Sequence, residues 1–356
     1  MFSGALIKWY AVRGNFEGTM WVPFGGECQM QVVIASLGFA LYGVGCEIAG
    51  ITVTKVIAKW FTGHELALAM GIQVALARVG TAVALGASLP IARAFGGVSA
   101  SVGLGAACLC IGMISFLVYN VMDRRLDASV AESPSGGEDE EVFKFADLKI
   151  LFFNKGFWCI TLLCLCFYAG VFPFLKFATK LMIYKYGVEP GIAGLIPATL
   201  PFGTIFLTPL FGGIYDKYGR GATLMIIGSL LLTLVHVTFA LPLSNVVLAI
   251  SVMVVLGIAF GLVPSALWPS VPKIIPIRLL GTAYAVIFYI QNIGLSMVPM
   301  WIGSVNERNT DASGFINYTE SMTIFAGFGV IAILISALLL FLDKKHGYGL
   351  EKPNIK

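Results

Sequence analysis

The sequence predicts an all-α, polytopic membrane protein, and three observations predict it. Of 356 residues, 58% are hydrophobic and only 12% are charged, against about 25% charged in a soluble domain. Apolar runs of 18 residues or more recur along the chain, long enough to cross a hydrocarbon core of roughly 30 Å. The basic residues between the runs gather on one side.

Nine spans follow in order, at about 32–59, 66–92, 98–121, 156–182, 191–214, 221–242, 245–270, 279–303 and 320–342. Residues 1–31 are interrupted by Lys8, Arg13 and Glu17 and show no clear signal peptide and no clean span. Residues 123–155 are Ser, Gly, Glu and Asp-rich at their centre and read as a solvated linker. The resulting divisions are an atypical start (1–31), three spans (32–122), a linker (123–155), six spans (156–343) and a tail (344–356).

Loops and ends on the linker side hold Lys59, Arg124, Arg125, Lys144, Lys149, Lys155, Lys217, Arg220, Lys273, Arg278, Lys344 and Lys345. The other side holds Arg93, Lys185 and Arg308. The linker side is therefore cytoplasmic. The sequon at Asn317 falls on the opposite side. The net charge of +4 gives no footprint for nucleic acid. The seven cysteines lie mostly in apolar runs and read as small buried hydrophobes. His64, His236 and His346 are dispersed. No metal, cofactor or catalytic constellation is assigned, which argues against an enzyme.

Two charges stand out inside the spans. Glu47 lies twelve residues before Lys59, and Arg78 lies twelve residues after Leu66. On antiparallel neighbouring helices both sit about 18 Å from the cytoplasmic end, near the bilayer centre. A charge there costs about 2.5–3.5 kcal/mol on insertion scales and faces a bundle interior or wet cavity. One reading is a buried pair that fixes helix register. The other is a substrate site with poles of both signs, Glu47 for an ammonium and Arg78 for a carboxylate, which a guanidinium grips bidentately. Lys176 either lines the same cavity or snorkels to the far interface. Trp268 belongs either to an interfacial aromatic belt or to a cavity wall. Gln73, Gln291 and Asn292 bond a ligand or another helix, and His236 reads as core. Prolines in "GLIPATLPFG" and "GLVPSALWPS" are expected to break two spans.

Residues 212–225, "GGIYDKYGRGATLM", resemble the major facilitator signature G-x-x-x-D-[KR]-x-G-R, with Gly212, Asp216, Lys217, Gly219 and Arg220 at the motif positions. Asp216 is expected to cap or pair near a helix end. "GVGCEIAGITVTKVIAKWFTGHELALAMGIQVALARVG" and "SALWPSVPKIIPIRLLGTAYAVIFYIQNIGLS" resemble the lysosomal dipeptide uniporter branch of that superfamily, across most of residues 32–304. The resemblance implies a major facilitator fold, transport of dipeptides or similar zwitterions by rocking of two halves, and no enzyme activity. It implies that Glu47 and Arg78 hold the peptide termini and that Trp268 lines the cavity. It also implies a lysosomal or similar endomembrane, with the plasma membrane as the alternative, and an accessory luminal glycoprotein. Glu47 is the only carboxylate deep in the spans, and Arg78 nearby would hold it ionised, which favours uniport over proton coupling. Against the family pattern the first two helices and their signature loop are missing. The chain is therefore expected to be N-terminally truncated, or to be a non-transporting scaffold or sensor on the same fold; another organic anion is the alternative cargo.

Overall fold

The computed structural model describes every residue except 15, 23–25, 62–63, 132–146, 191, 313 and 356; side chains at 26, 82, 85–90, 126–131 and 147–148 are also outside the description. Among the described residues the regular structure is helical apart from one small hairpin and an isolated bridge between Thr310 and Ile316. In order the elements are α1 (Phe2–Arg13), β1 (Thr19–Val22), β2 (Gly26–Gln29), α2 (Met30–Phe61), α3 (Leu66–Ala94), α4 (Val98–Ala131), α5 (Asp147–Phe153), α6 (Lys155–Tyr186), α7 (Leu195–Tyr218), α8 (Gly221–Ala240), α9 (Val246–Ile274), α10 (Leu280–Arg308) and α11 (Thr319–His346). Among the described residues eight helices are long and apolar enough to cross a bilayer, and α3 adds an apolar stretch at Leu66–Thr81. Large apolar side chains such as Leu37, Phe39 and Phe206 point outward, which suits lipid and not water.

The chain divides into two compact units. The first comprises residues 1–52 and 81–142. In it, α1 is too short to span and packs on α4. The hairpin pairs Thr19 with Gln29 and Val22 with Gly26, so the atypical start contains a strand pair that the sequence reading did not anticipate. α4 continues as helix through Ala131, past the point where the linker was expected to begin. The centre of that linker lies outside the described residues.

The second unit comprises residues 53–80 and 143–356. α11 packs on α8 and α6, α9 on α7 and α8, and α10 on α6. Its core is aromatic: Phe157, Phe167, Phe174, Phe239, Phe260, Phe325, Tyr215 and Tyr284 are fully buried. His236 belongs to this core. Its Nε2 lies 2.8 Å from the Gly170 carbonyl, and its ring packs against Phe174 and Phe325. Asparagines start two of the helices. Asn154 accepts the Phe157 N–H at α6, and Asn245 accepts those of Val247 and Leu248 at α9, filling donors that a helix start leaves open.

The prolines do not break their spans. Pro201 and Pro209 lie inside α7, and Pro264, Pro269 and Pro272 lie inside α9. Pro197 sits in the first turn of α7, where no N–H is required. Further in, neighbouring helices and hydroxyl side chains re-satisfy the freed backbone of a membrane helix. Of the cysteines, Cys159, Cys164 and Cys166 are buried, but Cys108 is exposed on α4. A thiol on a membrane helix can face lipid as readily as the core, so an apolar run does not by itself bury it.

α3 and α7 meet closely. A Cβ on Gly71 would lie 2.6 Å from the Thr208 carbonyl oxygen and 3.0 Å from the Pro209 Cα, both backbone atoms. A Cβ on Gly212 would collide with the Ala67 carbonyl. Without a hydrophobic drive between helices in lipid, such contact is what holds them. Gly71→Val should therefore lower stability by about 1–3 kcal/mol, read as a reduced thermal midpoint in detergent; an unchanged midpoint would mean that the seam is not tight.

Candidate functional site

Four helices of the second unit turn one face each toward a common cavity. The faces follow the helical repeat, in which residues four apart stack. The stripes that carry the lining residues are Met70, Val74 and Arg78 on α3, Tyr168 and Phe172 on α6, Phe260, Pro264 and Trp268 on α9, and Tyr284 and Phe288 on α10. The cavity measures about 140 Å³ and is lined by Met70, Gln73, Val74, Tyr168, Trp268 and Phe288, with Thr54 from the end of α2. Gln73 Nε2 donates to Thr54 Oγ1 at 3.4 Å.

Arg78 is half-buried beside this cavity. Its guanidinium lies 5.3 Å from the centroid of Phe172 and 5.3 Å from that of Phe260. The two ring faces stabilise the cation by about 0.5–2 kcal/mol each, but they take none of its five N–H donors. Nε is buried without a hydrogen-bond partner. Within its unit, no carboxylate among the described residues pairs with Arg78. A cation held by rings and left with open donors is arranged to receive an anion.

Trp268 is 7% exposed, so it lines the cavity and does not face lipid. Its indole stacks on Phe288 at 4.9 Å and 18°. Its Nε1 donates to the Tyr168 hydroxyl at 3.0 Å, and its carbonyl accepts the Tyr284 hydroxyl at 3.3 Å. Lys176 is exposed, one turn beyond Phe172 on the same stripe; it does not line the cavity. Glu47 belongs to the first unit and is exposed on α2. Gln291 accepts from the Cys164 thiol at 3.2 Å and so bonds a neighbouring helix.

The signature loop has its own geometry. The buried Asp216 carboxylate accepts the N–H groups of Ala67 at 2.9 Å and Leu68 at 2.7 Å, the opening turn of α3. It also accepts from Asn354 Nδ2 at 2.6 Å. A carboxylate at a helix N-terminus fills open donors and meets the positive end of the dipole. Gly219 has φ +71°, a conformation that favours glycine, and a Cβ there would strike the Glu351 carbonyl. Arg220 is also left-handed, at φ +66°, and with Lys217 it points outward. The tail 347–355 closes over this loop. Glu351 caps α8 through Thr223, Asp343 accepts the N–H groups of Leu350 and Glu351, and Lys273 donates to the carbonyls of Gly349 and Lys352.

Comparison with known proteins fixes the family. A family model described as Major Facilitator Superfamily matches residues 20–299. The chain belongs to the Major Facilitator Superfamily. Among curated relatives, the lysosomal dipeptide transporter MFSD1 of Danio rerio is 29% identical over 330 residues, covering 89% of this chain and 68% of that protein. Its Homo sapiens counterpart is 27% identical over 319 residues, covering 87% and 65%. The chain thus spans about two thirds of the length of these relatives. The solved structure of the proton:xylose symporter XylE bound to 6-bromo-6-deoxy-D-glucose aligns with a TM-score of 0.58 at 19% identity, over 86% of this chain and 69% of that one. The all-α, multi-pass fold and its class, a membrane transporter and not an enzyme, follow from membership of this superfamily.

The sequence reading did not single out Tyr168, Phe172, Phe260 or Phe288. The available signal was the four-residue spacing of Tyr168 and Phe172 in "YAGVF" and of Tyr284 and Phe288, and the eight-residue spacing of Phe260 and Trp268. In a chain that is 12% aromatic, that spacing is common in plain core.

Proposed function

We propose that this superfamily member carries dipeptides or similar zwitterionic small solutes across a lysosome-type membrane by facilitated uniport. The observation that carries the proposal is Arg78, held between Phe172 and Phe260 with an unpartnered Nε beside a small cavity. Such a group selects a carboxylate. Glu47, at matching depth along its own helix, supplies the ammonium pole, and Lys176 adds positive charge along the α6 stripe. The relatives named lysosomal dipeptide transporters support the cargo and the compartment. In this reading residues 32–122 belong to the first half of the fold and 156–343 form the second, with transport by alternating access. An accessory luminal glycoprotein is the expected partner.

The test is uptake of a labelled dipeptide by proteoliposomes carrying the purified protein, with no imposed proton gradient. Uptake down the dipeptide gradient is expected, and the Glu47→Gln, Arg78→Gln double variant should lose it. Normal uptake by that double variant would sink the assignment; uptake only with a proton gradient would replace uniport by symport.

A further inference from the structure

We propose that Tyr168 is a second hydrogen-bond donor to the carboxylate that Arg78 grips, and that Trp268 is the positioning residue that aims it. This rests on the reading of Arg78 as the carboxylate pole. An indole N–H can only donate, whereas a phenol both donates and accepts. The 3.0 Å contact between Trp268 Nε1 and the Tyr168 hydroxyl therefore has one direction, with the Tyr168 oxygen accepting. The phenolic proton is left over. Among the described residues no acceptor takes it, although Tyr168 is only 8% exposed and buried donors are rarely left unpaired. What the side chain does meet is the cavity.

The placement relative to Arg78 gives the missing acceptor its chemistry. The Tyr168 ring is 5.6 Å from Phe172 and 5.7 Å from Phe260, the same two rings on which the guanidinium rests. Phenol and guanidinium are thus neighbours at a shared aromatic pair, and each has N–H or O–H protons without an acceptor among the described residues. A carboxylate is an acceptor with two oxygens and can take both donors at once. Trp268 is itself fixed, by its stack on Phe288 and by the Tyr284 hydroxyl on its carbonyl. It occupies one lone pair of the Tyr168 oxygen, which turns the O–H away from the indole.

The experiment uses the purified full chain in detergent and reads binding as the ligand-induced rise in thermal midpoint over a concentration series. The probes are alanyl-alanine and its C-terminal amide, and the readout is the ratio of amide Kd to acid Kd. Wild type should strongly prefer the acid. Tyr168→Phe keeps the ring, loses one charge-assisted bond, and should shrink the ratio about tenfold. Trp268→Phe keeps the phenol but frees its rotation and should shrink the ratio less, in the same direction. An unchanged ratio in Tyr168→Phe, with Arg78→Gln abolishing the preference, overturns this proposal and leaves the Arg78 reading intact. An unchanged ratio in Arg78→Gln overturns the reading beneath it. Should Tyr168→Phe not fold, Trp268→Phe decides, since a wild-type ratio there removes the positioning role.

Discussion

On the proposed function, Arg78→Lys should lose most dipeptide transport although the charge is kept, and Arg78→Gln should lose all of it. A guanidinium is a weakly hydrated, planar cation, so it can rest in the corner between the perpendicular Phe172 and Phe260 rings while its edge presents parallel donors. An ammonium is a compact, strongly hydrated point charge and would leave the ring pair for water. Truncating one partner of a desolvated charge pair costs about 2–5 kcal/mol, so KM should rise by at least tenfold for lysine and further for glutamine. Saturation kinetics in proteoliposomes separates this from a folding defect, because a folding defect lowers the number of active transporters without moving KM. Equal KM for Arg78→Lys and wild type would mean that charge alone, and not the guanidinium edge, meets the cargo.

Asp216→Asn should destabilise the protein by about 2–3 kcal/mol, more than the isosteric change implies. Every partner of this carboxylate is a donor: the Ala67 and Leu68 N–H groups and the Asn354 amide. A carboxylate is acceptor only, whereas an amide turns one of its two ends into a donor. That end would face a backbone N–H at the opening of α3 in a buried place. Asn354→Ala removes a single bond and should cost about 1 kcal/mol. Thermal unfolding midpoints order the two variants; a larger loss from Asn354→Ala than from Asp216→Asn would contradict this account.

The helices were legible because membrane spans are written in length and hydropathy, and among the described residues each expected run coincides with a helix to within a few residues. The signature loop was legible because its glycine, carboxylate and basic positions recur at fixed offsets. Charge was legible as cost, which is why Glu47 and Arg78 stood out. The rings that seat Arg78 were not, because an aromatic in an apolar run costs nothing wherever it points. Hydropathy alone left Trp268 between two readings, and only the family resemblance pointed to the cavity wall, where it lies. The prolines misled for a physical reason: in water a proline ends a helix, but in a packed bilayer bundle the surrounding groups absorb the lost bond. The tail was invisible because its hold on the fold runs through backbone carbonyls and a few capping side chains spread far apart in sequence.

That tail acts as a ruler. Glu351 is anchored on the opening of α8 and Asn354 on the end of α7, and the Asn354 and Ile355 N–H groups both meet the Asp216 carbonyl. Much of the binding is made by main chain, so many side-chain changes at Lys352 or Ile355 would be absorbed. A one-residue insertion or deletion between Glu351 and Asn354 would not, because it puts two caps out of step at once. Over evolutionary time this segment should drift in composition while holding its spacing.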